Sequence, residues 1–207
     1  PIDPAADATG LIQSCLVQGA NIIWNQNLSF SVAQVIGTAR ALGVWEEAVY
    51  SGVNWTNNQD VINIMGENAA LMDGYYAMFP YLSWNDTDNP GIQQAIATFE
   101  EKGYPDSDRS NTYLTTYASF FNVSEALKRV VNEHGLEGLT GETLLEALTD
   151  PEHCMDDVLG YFPPNFCDGN RSGRISQIRQ AQWMEDHIEY VVVQDFFELP
   201  DTRPTAE

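Results

Sequence analysis

Apolar and polar positions fall into blocks through residue 79, and the period changes from block to block. Ala20-Asn21-Ile22-Ile23-Trp24 is a short apolar run rich in β-branched residues, the pattern of a strand buried on both faces. Asn25-Gln26-Asn27-Leu28-Ser29 interrupts the run. From Phe30 onward Val32, Val35, Ile36, Ala39 and Leu42 recur at helical spacing. Gly43 then stands where a glycine ends a helix, with apolar Val44 behind it. The spacing predicts a strand, a polar loop and a helix. Upstream, Asp3-Pro4 suits a helix start, and Leu11, Ile12, Cys15 and Leu16 form one helix face closed by Gly19. Downstream, residues 48–53 predict a second strand. Asn57 or Asn58 then caps a short helix through Val61, Ile62 and Met65, ended by Gly66, and residues 71–79 predict a third strand. Helix and strand alternate, as in a parallel α/β sheet.

The stretch 81–89 is polar and aromatic without a period, as expected of a crossover between subdomains. Asn89-Pro90 opens a helix carrying Ile92, Ile96 and Phe99 on one face and ended by Gly103. The longest predicted helix covers roughly residues 112–133, with Leu114, Tyr117, Phe121, Leu127 and Val131 near one stripe and Gly135-Leu136 as its stop. Thr140 caps a short helix through Leu144, Leu145 and Leu148. Strands are predicted at 158–162, 175–182 and 188–193, with a turn at Asp168-Gly169-Asn170. There is no internal repeat and no low-complexity tract.

Composition narrows the class. The 207 residues suffice for one large domain or two small ones. A formal charge of -21 excludes a nucleic-acid partner, because phosphate binding needs Lys and Arg, and it disfavours anionic lipid. The charge reads as a solvated surface, or as an adaptation to salt. No apolar stretch approaches the ~20 residues of a membrane span. The chain opens Pro1-Ile2-Asp3-Pro4, with neither an initiator Met nor a signal peptide, and reads as a processed or truncated product. Cys15, within a helical pattern, is expected to be a small buried apolar residue. Cys154 and Cys167 flank a predicted strand and turn; they form a disulfide in an oxidising compartment or two free thiols in a reducing one.

Catalytic and cofactor signatures are absent. The sequence has no phosphate-loop or dinucleotide-binding glycine pattern, no G-x-S-x-G elbow, no H-E-x-x-H pair and no C-x-x-C metal spacing. His134, His153 and His187 lie in different elements and read as surface or helix-end residues. No cofactor, metal or enzymatic activity is therefore expected. The Asn-x-Ser/Thr triplets at Asn27, Asn54, Asn85, Asn122 and Asn170 arise readily in an Asn-rich chain.

Binding is the chemistry that the loops suggest. In open α/β sheets, ligands sit beyond the C-terminal ends of the strands. Here those loops carry Asn25, Asn27, Leu28 and Ser29 after the first strand, and Asn54 and Trp55 after the second. Asn offers donors and acceptors and Trp a flat apolar wall, a combination suited to a small polar ligand. The competing reading makes the polar residues helix caps: Asn27 or Ser29 for the helix from Phe30, and Asn57 for the next.

Several phrases and their order resemble one family. They are Ala20-Asn-Ile-Ile-Trp24, Ala39-Arg-Ala-Leu-Gly43-Val44, Tyr50-Ser-Gly52, Asp73-Gly-Tyr75, Thr116-Tyr-Ala118 and Asp168-Gly-Asn-Arg-Ser-Gly173. Together they resemble the C-terminal portion of type I periplasmic binding proteins, in particular the branched-chain amino-acid substrate-binding proteins of ABC importers. The resemblance implies an α/β fold of three-layer, parallel-sheet lobes with the N-terminal part missing, and a small polar or amino-acid-like ligand held between two lobes. It assigns residues 1–85 to the second lobe, 86–172 to the first, and 173–207 to the hinge and closing strands. It also implies a membrane permease as partner and a periplasmic or extracellular location, with a lipoprotein anchor on the full-length form. The helices at 90–150 would then need the missing sheet to cover their apolar stripes. Amino-acid binders of the family often carry an acidic residue in the second loop. Val53 and Asn54 are uncharged, so a neutral amide, a polyol, or an aromatic or aliphatic acid stands beside an α-amino acid as ligand. A sensing ectodomain or regulator of the same fold is the alternative function, and an α/β hydrolase the one from a different class.

Overall fold

Five strands form one sheet in the order β1-β2-β3-β4-β5. The computed structural model describes residues 8–149, 159–161 and 175–200. In chain order these contain α1 (Thr9–Val17), β1 (Ile22–Asn25), α2 (Ser29–Leu42), β2 (Val49–Val53), α3 (Gln59–Met65), β3 (Tyr76–Phe79), α4 (Pro90–Glu101), α5 (Asn111–His134), α6 (Gly141–Thr149), β4 (Ile175–Trp183) and β5 (Ile188–Glu198). β1, β2 and β3 are parallel, with Asn25 opposite Gly52 and Gly52 opposite Ala77. β4 runs antiparallel to β3, placing Gln177 opposite Phe79. The sheet is thus mixed, with its parallel part built by the alternation read from the sequence.

The chain divides into two compact units. One comprises Pro1–Phe79, Asp106–Asn111 and Gln177–Phe197; the other comprises Pro80–Pro105, Thr112–Ser176 and Glu198–Glu207. In the first unit one sheet face is buried: Tyr50, Ala77, Phe79, Gln177 and Arg179 are all nearly inaccessible. α2 buries Val32, Val35, Ile36 and Ala39 of its predicted stripe and leaves Leu42 half-buried, and α3 buries Val61 and Met65. α2 ends as expected, with Gly43 left-handed at φ 72° and the Val44 N–H bonded to the Ala39 carbonyl at 3.1 Å. The opposite sheet face carries exposed Ile22, Trp24 and Val49.

In the second unit Trp84, Ile92, Phe99, Leu114, Ala118, Leu159 and Tyr161 form one core. Asn89 caps α4 by accepting from the Gly91 and Ile92 N–H groups at 2.9 and 3.1 Å, with Pro90 behind it. The Tyr161 hydroxyl donates to the Leu114 carbonyl at 2.7 Å, so this phenol is paired within the core.

Five expectations need correction. β1 is not buried on both faces: its Ile22 and Trp24 are exposed, and only the face of Asn25 is covered. Residues 71–79 are not one strand: Gly66–Met72 is a 3-10 helix, Gly74 turns at φ 83°, and the strand starts only at Tyr76. The apolar run Ala69-Ala70-Leu71-Met72 fits either state, and burial of Ala69 and Met72, three apart, selects the 3-10 form. The predicted strand at 158–162 is a turn over its described part, with Gly160 at φ 70°. Cys15 is exposed, because α1 packs through Ile12 alone. The N-terminal part of the α5 stripe, through Phe121, does find cover inside the chain. Leu114 is fully buried, worth roughly 1.5–3 kcal/mol, and the half-buried Tyr117 and Phe121 pack on the same core. The Asp3-Pro4 helix start, Cys154, Cys167, His153 and the Asp168-Gly169-Asn170 turn lie outside the described residues.

Candidate ligand-binding edge

Because β1 and β2 are parallel neighbours in register, the loops after Asn25 and after Val53 leave the same edge of the sheet. The Ser29 side chain joins them. The Ser29 hydroxyl donates to the Trp55 carbonyl at 3.2 Å and also lies 3.3 Å from Asn58 Oδ1. Asn58 Nδ2 donates to the same carbonyl at 3.3 Å, while its Oδ1 accepts from the Val61 N–H at 3.2 Å. Asn58, not Asn57, therefore caps α3. Asp60 sits in the first turn of that helix, where the dipole favours an acidic side chain.

The six predicted residues divide by role. Asn25 is buried and donates from Nδ2 to the Ser51 carbonyl at 3.3 Å, so it holds the edge together. Asn27 is partly buried, and α2 starts after Leu28 with no side-chain cap. Neither Asn27 nor Ser29 caps that helix; Ser29 instead bridges the loops. The Asn54 carbonyl accepts from Asn111 Nδ2 at 3.3 Å. Leu28 and Trp55 are exposed, 72% and 36% respectively.

Sequence reasoning missed the support beneath this edge. Gly52 lies under it, and a Cβ there would stand 2.7 Å from the Tyr75 hydroxyl and closer still to the Asn25 carbonyl and Thr56 Oγ1. Only glycine lets these three groups converge. Thr56 Oγ1 donates to the Val53 carbonyl at 2.6 Å, closing the 3-10 turn Asn54–Thr56. Burial raises the Tyr75 phenol above its ordinary value, against the lowering effect of Thr56 and Asn25, so it stays protonated. Tyr190 is shifted the same way, by burial first and then by Asp60. Phe30, 52% exposed, was also missed. Its place off the Val32–Val35–Ile36–Ala39 stripe was the available signal.

A cavity of about 510 Å³ lies at the opposite strand ends, lined by Arg40, Trp45, Glu46, Glu47, Tyr50 and Asp73 among others. Arg40 donates there to the Leu71 and Asp73 carbonyls and stacks on Trp45 at 4.2 Å; Trp45 stacks on Tyr50 at 4.5 Å. That arrangement ties α2 to the turn before β3. Among the described residues no group of three or more His, Cys, Asp or Glu side chains could hold a metal ion. His187, between Asp186 and Glu189 at the β4–β5 turn, is raised above its ordinary value by hydrogen bonds to both and lies away from the strand-end loops.

No protein-family model and no curated protein matches the chain. Solved structures do. A branched-chain amino-acid ABC transporter protein from Thermus thermophilus with bound valine aligns with TM-score 0.73 at 18% identity, over 93% of this chain and 50% of its own. A solute-binding protein of an ABC transporter from Rhodopseudomonas palustris, in complex with p-hydroxybenzoic acid, aligns with TM-score 0.75 at 11% identity, over 97% and 51%. A fatty-acid ABC transporter substrate-binding protein from Thermomonospora curvata aligns with TM-score 0.71 at 21% identity, over 96% and 49%. The chain has the type I periplasmic-binding-protein fold. It spans about half the length of the structures it matches. Within this fold the parallel strands β1 and β2 and the Ser29 bridge are what place Leu28 and Trp55 on one edge.

Proposed function

We propose that the chain is part of the solute-binding component of an ABC importer, and that its strand-end loops take part in capturing a small ligand. The first compact unit corresponds, on this reading, to the second lobe of the binding-protein fold. The observation that carries it is the paired loops: two adjacent parallel strands deliver Leu28 and Trp55 to one edge, and Ser29 locks the loops together. A pre-formed, hydrogen-bonded edge with an accessible Trp lowers the ordering cost of binding. The solved structures that share the fold are named as ABC transporter binding proteins and support the same role. It follows that the protein works outside the cytoplasm, partners a membrane permease, acts without catalysis, and is anchored as a lipoprotein in its full-length form.

Isothermal calorimetry of the full chain against amino acids, amides, polyols and small acids tests the role. One class is expected to bind with a change in Trp fluorescence, and Trp55→Ala is expected to weaken it by ~1–3 kcal/mol, as aromatic anchors do. Hydrolytic turnover lost on one Asp or Glu substitution would contradict the reading.

A further inference from the structure

Five Asn-x-Ser/Thr triplets run through the chain, and the fold separates them. An acceptor triplet must present its side-chain amide and its hydroxyl together, on a surface with room for a bulky sugar. At Asn54 the third residue, Thr56, is fully buried and its hydroxyl donates to the Val53 carbonyl. Asn122 is buried within α5. Asn27 is half-buried, and the hydroxyl of its Ser29 donates to the Trp55 carbonyl. Asn170 lies outside the described residues. The triplet Asn85-Asp86-Thr87 differs: Asn85 and Thr87 are both exposed, in the loop before α4. Among the described residues neither the Asn85 side-chain amide nor the Thr87 hydroxyl has a hydrogen-bond partner.

Other groups shape this loop. Trp84 anchors one end in the core of the second unit, and Asn89 caps α4 at the other. Between them the Asp86 carboxylate accepts from the Ser83 N–H, the Asn89 N–H donates to the Asp86 carbonyl at 3.0 Å, and Gln93 Nε2 donates to the Thr87 carbonyl at 2.7 Å. The backbone is thereby held while the two groups that a glycosyl transferase reads stay free. We propose that Asn85 is an N-glycosylation site, taking its sugar from a lipid-linked oligosaccharide phosphate. Asn85 Nδ2 forms a bond to the anomeric carbon of the sugar, and the bond from that carbon to the phosphate oxygen breaks. The lipid phosphate leaves with the electron pair, and the amide proton passes to a base of the transferase. Nothing is oxidised or reduced. The inference goes beyond the binding role proposed above and shares with it only the location outside the cytoplasm.

The test is mass spectrometry of the full chain purified from its own host, intact and as peptides sequenced by electron-transfer fragmentation. An added sugar mass is expected on the peptide that holds Asn85, while the peptides that hold Asn27, Asn54 and Asn122 are expected bare. Expressed in the same host, Asn85→Gln and Thr87→Ala are each expected to lose the glycan completely, and Thr87→Ser to keep it. Both positions are exposed, and circular dichroism checks the fold of each variant. A bare Asn85 in the parent protein overturns the inference, whether or not another triplet carries sugar. A glycan on Asn85 that survives Thr87→Ala unchanged overturns it as well, because the triplet is then not what the transferase reads. Calorimetry reads ligand binding separately, so a bare Asn85 in a chain that binds ligand overturns the modification and leaves the binding role standing.

Discussion

The hydroxyl of Ser29 lies 3.2 Å from the backbone carbonyl of Trp55, so one donor holds the loop after β1 to the loop after β2. Its removal leaves that carbonyl with Asn58 Nδ2 as its remaining side-chain donor. Ser29→Ala is expected to cost about 0.5–1.5 kcal/mol, the usual net value of one such bond. Urea unfolding of the variant beside the parent measures it. Identical midpoints and slopes would mean that the bridge contributes nothing to the fold.

Neighbouring asparagines are expected to respond in opposite ways. Asn58 caps α3 through the Val61 N–H, so Asn58→Ala is expected to destabilise by about 1–2 kcal/mol. Asn57 is fully buried, and neither its Nδ2 nor its Oδ1 has a partner. Replacing such a group by an apolar one of similar shape is nearly neutral or stabilising, and Asn57→Leu is expected to behave so. Thermal melts of both variants decide the contrast, which is lost if Asn57→Leu falls as far as Asn58→Ala.

Gly52 is the tightest point beneath the edge. An added methyl would meet the Asn25 carbonyl and Thr56 Oγ1, and the carbonyl belongs to the paired strand β1 and cannot swing away. Gly52→Ala is expected to destabilise by about 1–3 kcal/mol, as overpacking does. Denaturant titration reads the loss. A variant as stable as the parent would show that β1 and β2 can separate locally at no cost.

The charge of -21 acts on the fold as self-repulsion. Salt shortens the screening length from about 10 Å at 0.1 M to about 3 Å at 1 M. Thermal stability is therefore expected to rise over that range of sodium chloride, followed by circular dichroism. A melting temperature that stays level or falls would leave the charge as ordinary surface solvation.

Local pattern alone determined much of the architecture. The change of period at Phe30, the stop at Gly43, the cap at Asn89 and the loops that carry Leu28 and Trp55 are all written within a few residues of where they act, since caps, turns and amphipathic faces are short-range. The run at 69–79 shows the limit: Ala69 to Met72 satisfies both strand and 3-10 patterns, and only contact with the core chose between them. The same holds for the N-terminal part of α5, whose stripe has no cover in the local sequence and packs with α4 and Tyr161 in the fold. At the candidate edge, tertiary structure separated residues that the sequence made equivalent. Asn25 turned inward to Ser51, Asn58 rather than Asn57 became the cap, and Ser29 became a bridge rather than a cap. Each of these outcomes except the cap depends on a partner some twenty-six residues away, which the register of β1 on β2 supplies. Such a partner is invisible to periodicity, because a hydrogen bond across a sheet is specified by where two distant segments are laid side by side and not by the residues that flank either group.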